Sequence, residues 1–127
     1  MAPSAVFERI RKLEERGVIL GYAATVDPSA LGIGLLAYVS VRGDETSGTP
    51  VLERALAAIP EVQEIHHIAG EDCFLIKVRT ASTEALGRLL RDRIAAISQV
   101  RSTRTTIVLS TIKETTALPI PEGASRV

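Results

Sequence analysis

The stretch over residues 61–80, EVQEIHHIAGEDCFLIKVRT, constrains the fold more than any other part of the chain. Two β-prone runs, 62–69 and 73–79, flank Gly70-Glu71-Asp72, a spacing that predicts a hairpin whose tight turn carries two carboxylates. In the second run Phe74, Ile76 and Val78 alternate with Cys73, Leu75, Lys77 and Arg79, so one face is bulky and apolar while the other is mixed. A mixed face suits contact with a partner subunit better than open water.

The segments around this hairpin follow from periodicity. Pro3 and Ser4 open a helix over 4–16, with Val6, Phe7, Ile10 and Leu13 at helical spacing and Gly17 as the stop. Alone such a helix is marginal in water, because nucleation is costly and its apolar stripe is narrow. VILGYAATV at 18–26 reads as a short strand, and Asp27-Pro28 with Leu31-Gly32 as a turn. Over 35–42 the pattern alternates, with Leu35, Ala37, Val39 and Val41 on one face of a core strand. A polar loop follows at 43–50, then a helix over 51–59 that presents Leu52, Ala55, Leu56 and Ile59 and ends at Pro60.

After the hairpin Ser82 caps the best amphipathic helix, carrying Ala85, Leu86, Leu89, Leu90, Ile94 and Ile97. The Thr, Val and Ile run at 100–113 predicts a long last strand, and the tail at 114–127 has too little to bury and should be extended or frayed. From residue 35 the order is βαββαβ, an α+β class chain with the ferredoxin-like arrangement. Both helices then cover one face of a four-stranded antiparallel sheet. The other face, with Leu36, Tyr38, Leu75 and several Thr residues, calls for a second subunit, so at least a dimer is expected.

Composition narrows the function classes. At 127 residues the chain holds one domain plus a short appendage. No apolar run is long enough to span a bilayer and the start is too charged for a secretory segment, so a cytoplasmic protein with no membrane partner is expected. Fifteen basic and fifteen acidic residues cancel, but Arg9, Arg11, Lys12 and Arg16 crowd the first helix against Glu8, Glu14 and Glu15, so a polyanion contact belongs there. Aromatic residues make up 3% and Trp is absent, which argues against stacking platforms for single strands. The lone Cys73 forms no internal disulfide or zinc site and reads as a small hydrophobe. His66 and His67 point to opposite faces of a strand and cannot share one ion; one is expected at a subunit interface and the other under the helices. Neither a metal, a cofactor nor a catalytic group is indicated, and no nucleophile elbow, phosphate-binding glycine loop or dinucleotide fingerprint is present.

SAVFERIRKLEERGVILGYAATVDPSALG, PEVQEIHHIAGEDCFLIKV and VRSTRTTIVLSTIKE with LPI together resemble the leucine-responsive/asparagine regulator (Lrp/AsnC) family of transcriptional regulators, over essentially the whole chain. The most specific parts are RIRKLEERGVI at 9–19, AGEDCFLIKV at 69–78 and the Thr-rich last strand. The resemblance implies an N-terminal helix-turn-helix that binds DNA. It also implies a ferredoxin-like effector domain, the RAM domain, that dimerises, builds larger assemblies such as an octamer, and binds amino acids between subunits. Family members carry two helices before the recognition helix, which here resembles the first helix. The implied plan is a partial helix-turn-helix and linker strand over 1–33, a RAM domain over 34–114 and a tail over 115–127. A stand-alone effector module without DNA binding is the alternative, and a small dimeric ferredoxin-like barrel enzyme shares the fold without sharing function. Cys73 departs from the family pattern, which more often has an acidic residue there.

With the resemblance in hand, the turn becomes the candidate effector site. Its backbone N–H groups can hold a ligand carboxylate and its side chains the ammonium, a set comprising Ile68, Ala69, Gly70, Glu71, Asp72 and Cys73, with the hydroxyls of Thr103 and Thr105 from a neighbouring subunit. The competing reading is a solvated turn and ordinary strand residues. On the first helix Ser4, Arg9, Arg11 and Lys12 are candidate phosphate contacts, with Ala5, Phe7 and Glu8 nearest the base edges. The competing reading is a solvated helical face with Glu/Arg pairs.

Overall fold

The computed structural model describes residues 2–44 and 50–122; most of the loop expected over 43–50, and residues 123–127 of the expected tail, lie outside the described residues. The chain divides into two units, Met1–Thr25 with Lys113–Val127, and Val26–Ile112.

In the first unit, helix α1 spans Pro3–Glu15. Pro3 occupies the first turn, where a backbone N–H would have no partner, and Ala2 at the N-cap offers no side-chain bond. The end is a Schellman motif: Gly17, at φ 74°, donates to the Glu14 carbonyl and Val18 N–H to that of Leu13. No residue of α1 is buried. The strand expected at 18–26 does not form, because a β-prone run becomes a strand only with a ladder partner, and among the described residues it has none. Tyr22 instead donates its hydroxyl to Glu14 Oε1 at 2.9 Å, which raises the phenol pKa.

In the second unit Asp27 caps a short 3₁₀ turn over Pro28–Leu31, its carboxylate accepting from Ser29 N–H at 3.0 Å. Then follow β1 (Leu35–Gly43), α2 (Val51–Ala57), β2 (Val62–His67), β3 (Phe74–Thr80), α3 (Thr83–Arg88) and β4 (Val100–Ile107). The sheet order is β2-β3-β1-β4, antiparallel throughout, which is the ferredoxin-like arrangement the segment order predicted.

Register sorts the side chains. Ala37 lies opposite Val78, Val39 opposite Ile76 and Val41 opposite Phe74, so these six share one face. Onto that face α2 brings Leu52 and Leu56, and α3 with its continuation brings Leu86, Leu89 and Ile94, all buried. Each such side chain contributes roughly 1.5–3 kcal/mol of hydrophobic stabilisation. On the opposite face Tyr38, Ser40, Leu75 and Lys77 are only half-buried.

Three further expectations are corrected. The last strand ends at Ile107, six residues before the predicted Lys113, because Val108 donates to the Leu36 carbonyl at 2.9 Å and β1 begins one residue before Leu36. The helix predicted from Ser82 to Ile97 is α-helical only to Arg88; Leu89–Ile94 is a π-helical stretch in which Ala95 N–H reaches back five residues to Leu90 O at 2.7 Å. In an α-helix five residues at about 100° each leave Ile94 some 140° round from Leu89; the wider turn lets both point into the core. Finally, Thr103 and Thr105 lie opposite Val41 and Val39, on the helix side, and of the strand's Thr residues Thr106, opposite Tyr38, is on the other face.

Gly43 sits where the β1/β4 register shifts, and a Cβ there would drive into Leu52 Cδ2 and come 2.9 Å from Gln99 O. Beside it Arg101 donates from Nε to Asp44 Oδ2 at 2.7 Å, and this hydrogen bond holds the Asp44 carboxyl below its usual range.

Candidate functional site

The β2/β3 connection is longer than the tight turn expected. Ile68 N–H donates to the Cys73 carbonyl at 3.0 Å, closing a loop of residues 69–72. Cys73 N–H donates to Val41 O at 3.0 Å and its thiol to Gly43 O at 3.4 Å, so the returning end of the loop is fastened to β1. Gly70 has φ 123°, a conformation L side chains rarely adopt, while a Cβ there would meet nothing within 4 Å. Backbone shape, not space, requires glycine at that point.

Among the described residues the N–H groups of Gly70, Glu71 and Asp72 make no hydrogen bond, and the Glu71 carboxylate has no ion pair. Asp72 differs. Its carboxylate, with the side chain 22% exposed, accepts from Arg104 Nη2 at 2.7 Å, while the Arg104 side chain is 76% exposed. Arg104 lies on β4 opposite Ser40, itself opposite Leu75, so its reach to Asp72 crosses β1 over the face away from the helices. Asp72 is thus neutralised within its own chain, and Glu71 is left as the free anionic group. Sequence reasoning missed Arg104, since only the strand register shows that it shares an end of the sheet with the loop.

Thr103 stands opposite Val41, which stands opposite Phe74, the first strand residue after the loop. That places Thr103 at the loop's end of the sheet, two strand spacings or about 10 Å across, with Thr105 two residues further away along the strand. Among the described residues neither bonds the loop of its own chain.

The two histidines do separate. His66 donates from Nε2 to Glu64 Oε1 at 2.9 Å, and Lys77 Nζ lies 3.4 Å from the other oxygen; these contacts lower the Glu64 pKa, His66 first. His67 stacks at 35° against Phe74 with ring centres 5.2 Å apart, on the helix side as expected, yet it is exposed and not covered by a helix. No group of three His, Cys, Asp or Glu among the described residues is placed to hold a metal. Nor is any helix there long and apolar enough to cross a membrane.

On α1 the predicted contact residues Ser4, Ala5, Phe7, Glu8, Arg9, Arg11 and Lys12 are all exposed. Arg11 is engaged by both Glu8 oxygens, at 2.8 and 2.9 Å, and lies 3.8 Å from Glu15. Arg9 and Lys12 have no ion pair among the described residues, so they are the free cations of this set.

Comparison with known proteins identifies the family. The family model described as the Lrp/AsnC ligand binding domain matches residues 36–118. HTH-type transcriptional regulator FL11 of Pyrococcus horikoshii is 42% identical over 120 residues, covering 94% of this chain and 78% of its own length. Among solved structures, a transcriptional regulator of Neisseria meningitidis in complex with L-Met superposes with a TM-score of 0.90 at 26% identity, covering 94% of this chain and 79% of that one. The feast or famine regulatory protein of Mycobacterium tuberculosis, complexed with L-methionine, gives 0.83 at 38% identity, covering 93% and 79%. The fold, the extent of the family match and the identity to named regulators place this chain in the Lrp/AsnC family of transcriptional regulators.

Proposed function

We propose that this regulator senses a free amino acid at the 69–72 loop, at a seam between subunits, and contacts DNA through α1. The observation that carries the reading is the run of three unbonded N–H groups beside the unpaired Glu71 carboxylate. The N–H groups match an α-carboxylate and Glu71 matches an α-ammonium. Arg104 acts as a positioning residue that holds Asp72, and with it the loop, in place. The L-Met complexes of the two structural relatives support an amino acid as the ligand class.

A second copy covers the sheet face that bears Tyr38 and Leu75, and larger assemblies place Thr103 and Thr105 beside a neighbour's loop. An amino acid that fits one subunit arrangement better than another shifts the population, and with it DNA affinity. On α1, Ser4, Arg9 and Lys12 meet phosphates, while Ala5, Phe7 and Glu8 are nearest the bases.

The test is calorimetry and sizing of the full chain with a panel of amino acids that includes L-Met. Glu71→Gln should weaken binding about tenfold or more, consistent with loss of a charge-assisted bond. Asp72→Ala should weaken it as well without unfolding the domain. A monomer whose size and heat signal respond to no amino acid would remove the reading.

A further inference from the structure

A cleft of about 410 Å³ opens at the end of the sheet where β3 passes into α3, away from the 69–72 loop. Its volume falls within the range of small-molecule sites, roughly 300–1,000 Å³. Three arginines line it: Arg79 from the mixed face near the end of β3, and Arg88 and Arg93 from the helix. Arg79 is held by Gln63, its Nε donating to Oε1 at 2.8 Å. Arg93 makes no hydrogen bond or ion pair among the described residues, and Arg88 makes no hydrogen bond there but lies within charge interaction of Glu84, one turn earlier.

The π-helical stretch explains why both open onto one cleft. In an α-helix Arg93 would stand about 140° round from Arg88; a turn closed over five residues brings the two closer to one side, and both line the cleft with Leu89. A π-turn is rare and gives up regular α-helical hydrogen bonding, and such turns recur at functional sites. Here it sets Ile94 into the core, while Arg88 and Arg93 both line the cleft.

Glu61 and Asp92 also line the cleft, and with Glu84 beside Arg88 and Arg91 beside Asp92 included its charged groups sum to one positive charge. Asp92 is already engaged by Arg91 at 3.1 Å. Ile33, Ala85 and Leu89 supply an apolar wall. Net charge selects the ligand: a zwitterion leaves the charge uncancelled, a dianion over-compensates it, and a monoanion neutralises the cleft. Paired guanidiniums suit a planar carboxylate, which they bind through parallel N–H donors.

We infer that this cleft is a second small-molecule site, one that takes an aliphatic monocarboxylate with its carboxylate between Arg88 and Arg93 and its chain against Ile33 and Leu89. It does not depend on the amino-acid reading of the 69–72 loop. The probes are 3-methylbutanoate and leucine, titrated into the full chain by calorimetry. 3-Methylbutanoate should bind saturably, and the double variant Arg88→Gln/Arg93→Gln, both exposed positions, should weaken it at least tenfold. Glu71→Gln should leave it unchanged. Glu61→Gln should tighten it, since removing a carboxylate favours a monoanion; for a zwitterion held through its ammonium the same change would weaken binding. No saturable binding up to about 10 mM, an unaffected double variant, a loss in Glu71→Gln, or a loss in Glu61→Gln would each overturn the assignment. Circular dichroism of each variant separates these results from misfolding.

Discussion

Phe74 is where the loop meets the core, and replacing it by Ala gives the sharpest test of how the two are joined. Its side chain is 1% exposed, lies opposite Val41 and stacks on His67. A buried Phe removes about 150–250 Å² from water, which at about 25 cal/mol/Å² is roughly 4–6 kcal/mol, an upper estimate because the unfolded chain already buries part of that area. Cavity formation adds to the loss and partial collapse subtracts, and Phe→Ala changes in cores cost about 3–5 kcal/mol. Phe74→Ala should therefore lose about 3–5 kcal/mol, a large share of the 5–15 kcal/mol that typically holds a domain. Phe74→Leu, closer in volume, should lose about 1.5 kcal/mol or less. Urea unfolding followed by circular dichroism reads both, at one fixed protein concentration because assembly couples to stability. A loss below about 1 kcal/mol for the Ala variant would refute the placement of this ring beneath the helices.

Two further outcomes follow from local geometry. Ser82 Oγ accepts from Ala85 N–H at 3.1 Å, so Ser82→Ala should cost about 1 kcal/mol and Ser82→Gly only a few tenths, measured by the same unfolding assay; equal costs would deny the cap. Arg101 holds the Asp44 carboxyl below its ordinary value of 3.8, so the stability it contributes is complete above about pH 4 and drains as pH falls through the lowered folded value. Wild type should accordingly lose more stability on acidification than Asp44→Asn, and superimposable acid profiles would contradict the pairing.

Much of the second unit is legible from the sequence because its signals are local. Alternation at 35–42 and 73–79 picks out residues that are buried in the fold at Ala37, Val39, Val41, Phe74, Ile76 and Val78. Helical spacing likewise finds Leu52, Leu56, Leu86, Leu89 and Ile94. What the sequence conceals is set by partners. The runs at 18–26 and 108–113 have strand composition, yet one finds no ladder partner among the described residues and the other outruns the end of β1. Thr103, Arg104 and Thr105 look interchangeable until register puts the threonines on the helix side and Arg104 within 2.7 Å of Asp72. The π-helical stretch has no local signature, since LLRDRI fits an ordinary helix; it arises from the demand that Leu89 and Ile94 both reach the core. The free N–H groups of the loop depend on its closure between Ile68 and Cys73, which residue types alone do not reveal.

Closure by Ile68 and Cys73, with Gly70 fixing the bend, separates framework from display in the 69–72 loop. Ala69 and Glu71 are exposed, so exchanging them costs the fold little, whereas altering Gly70 would redraw the whole bend. A chain built this way can change the two side chains this loop displays while its scaffold and its melting point stay where they were.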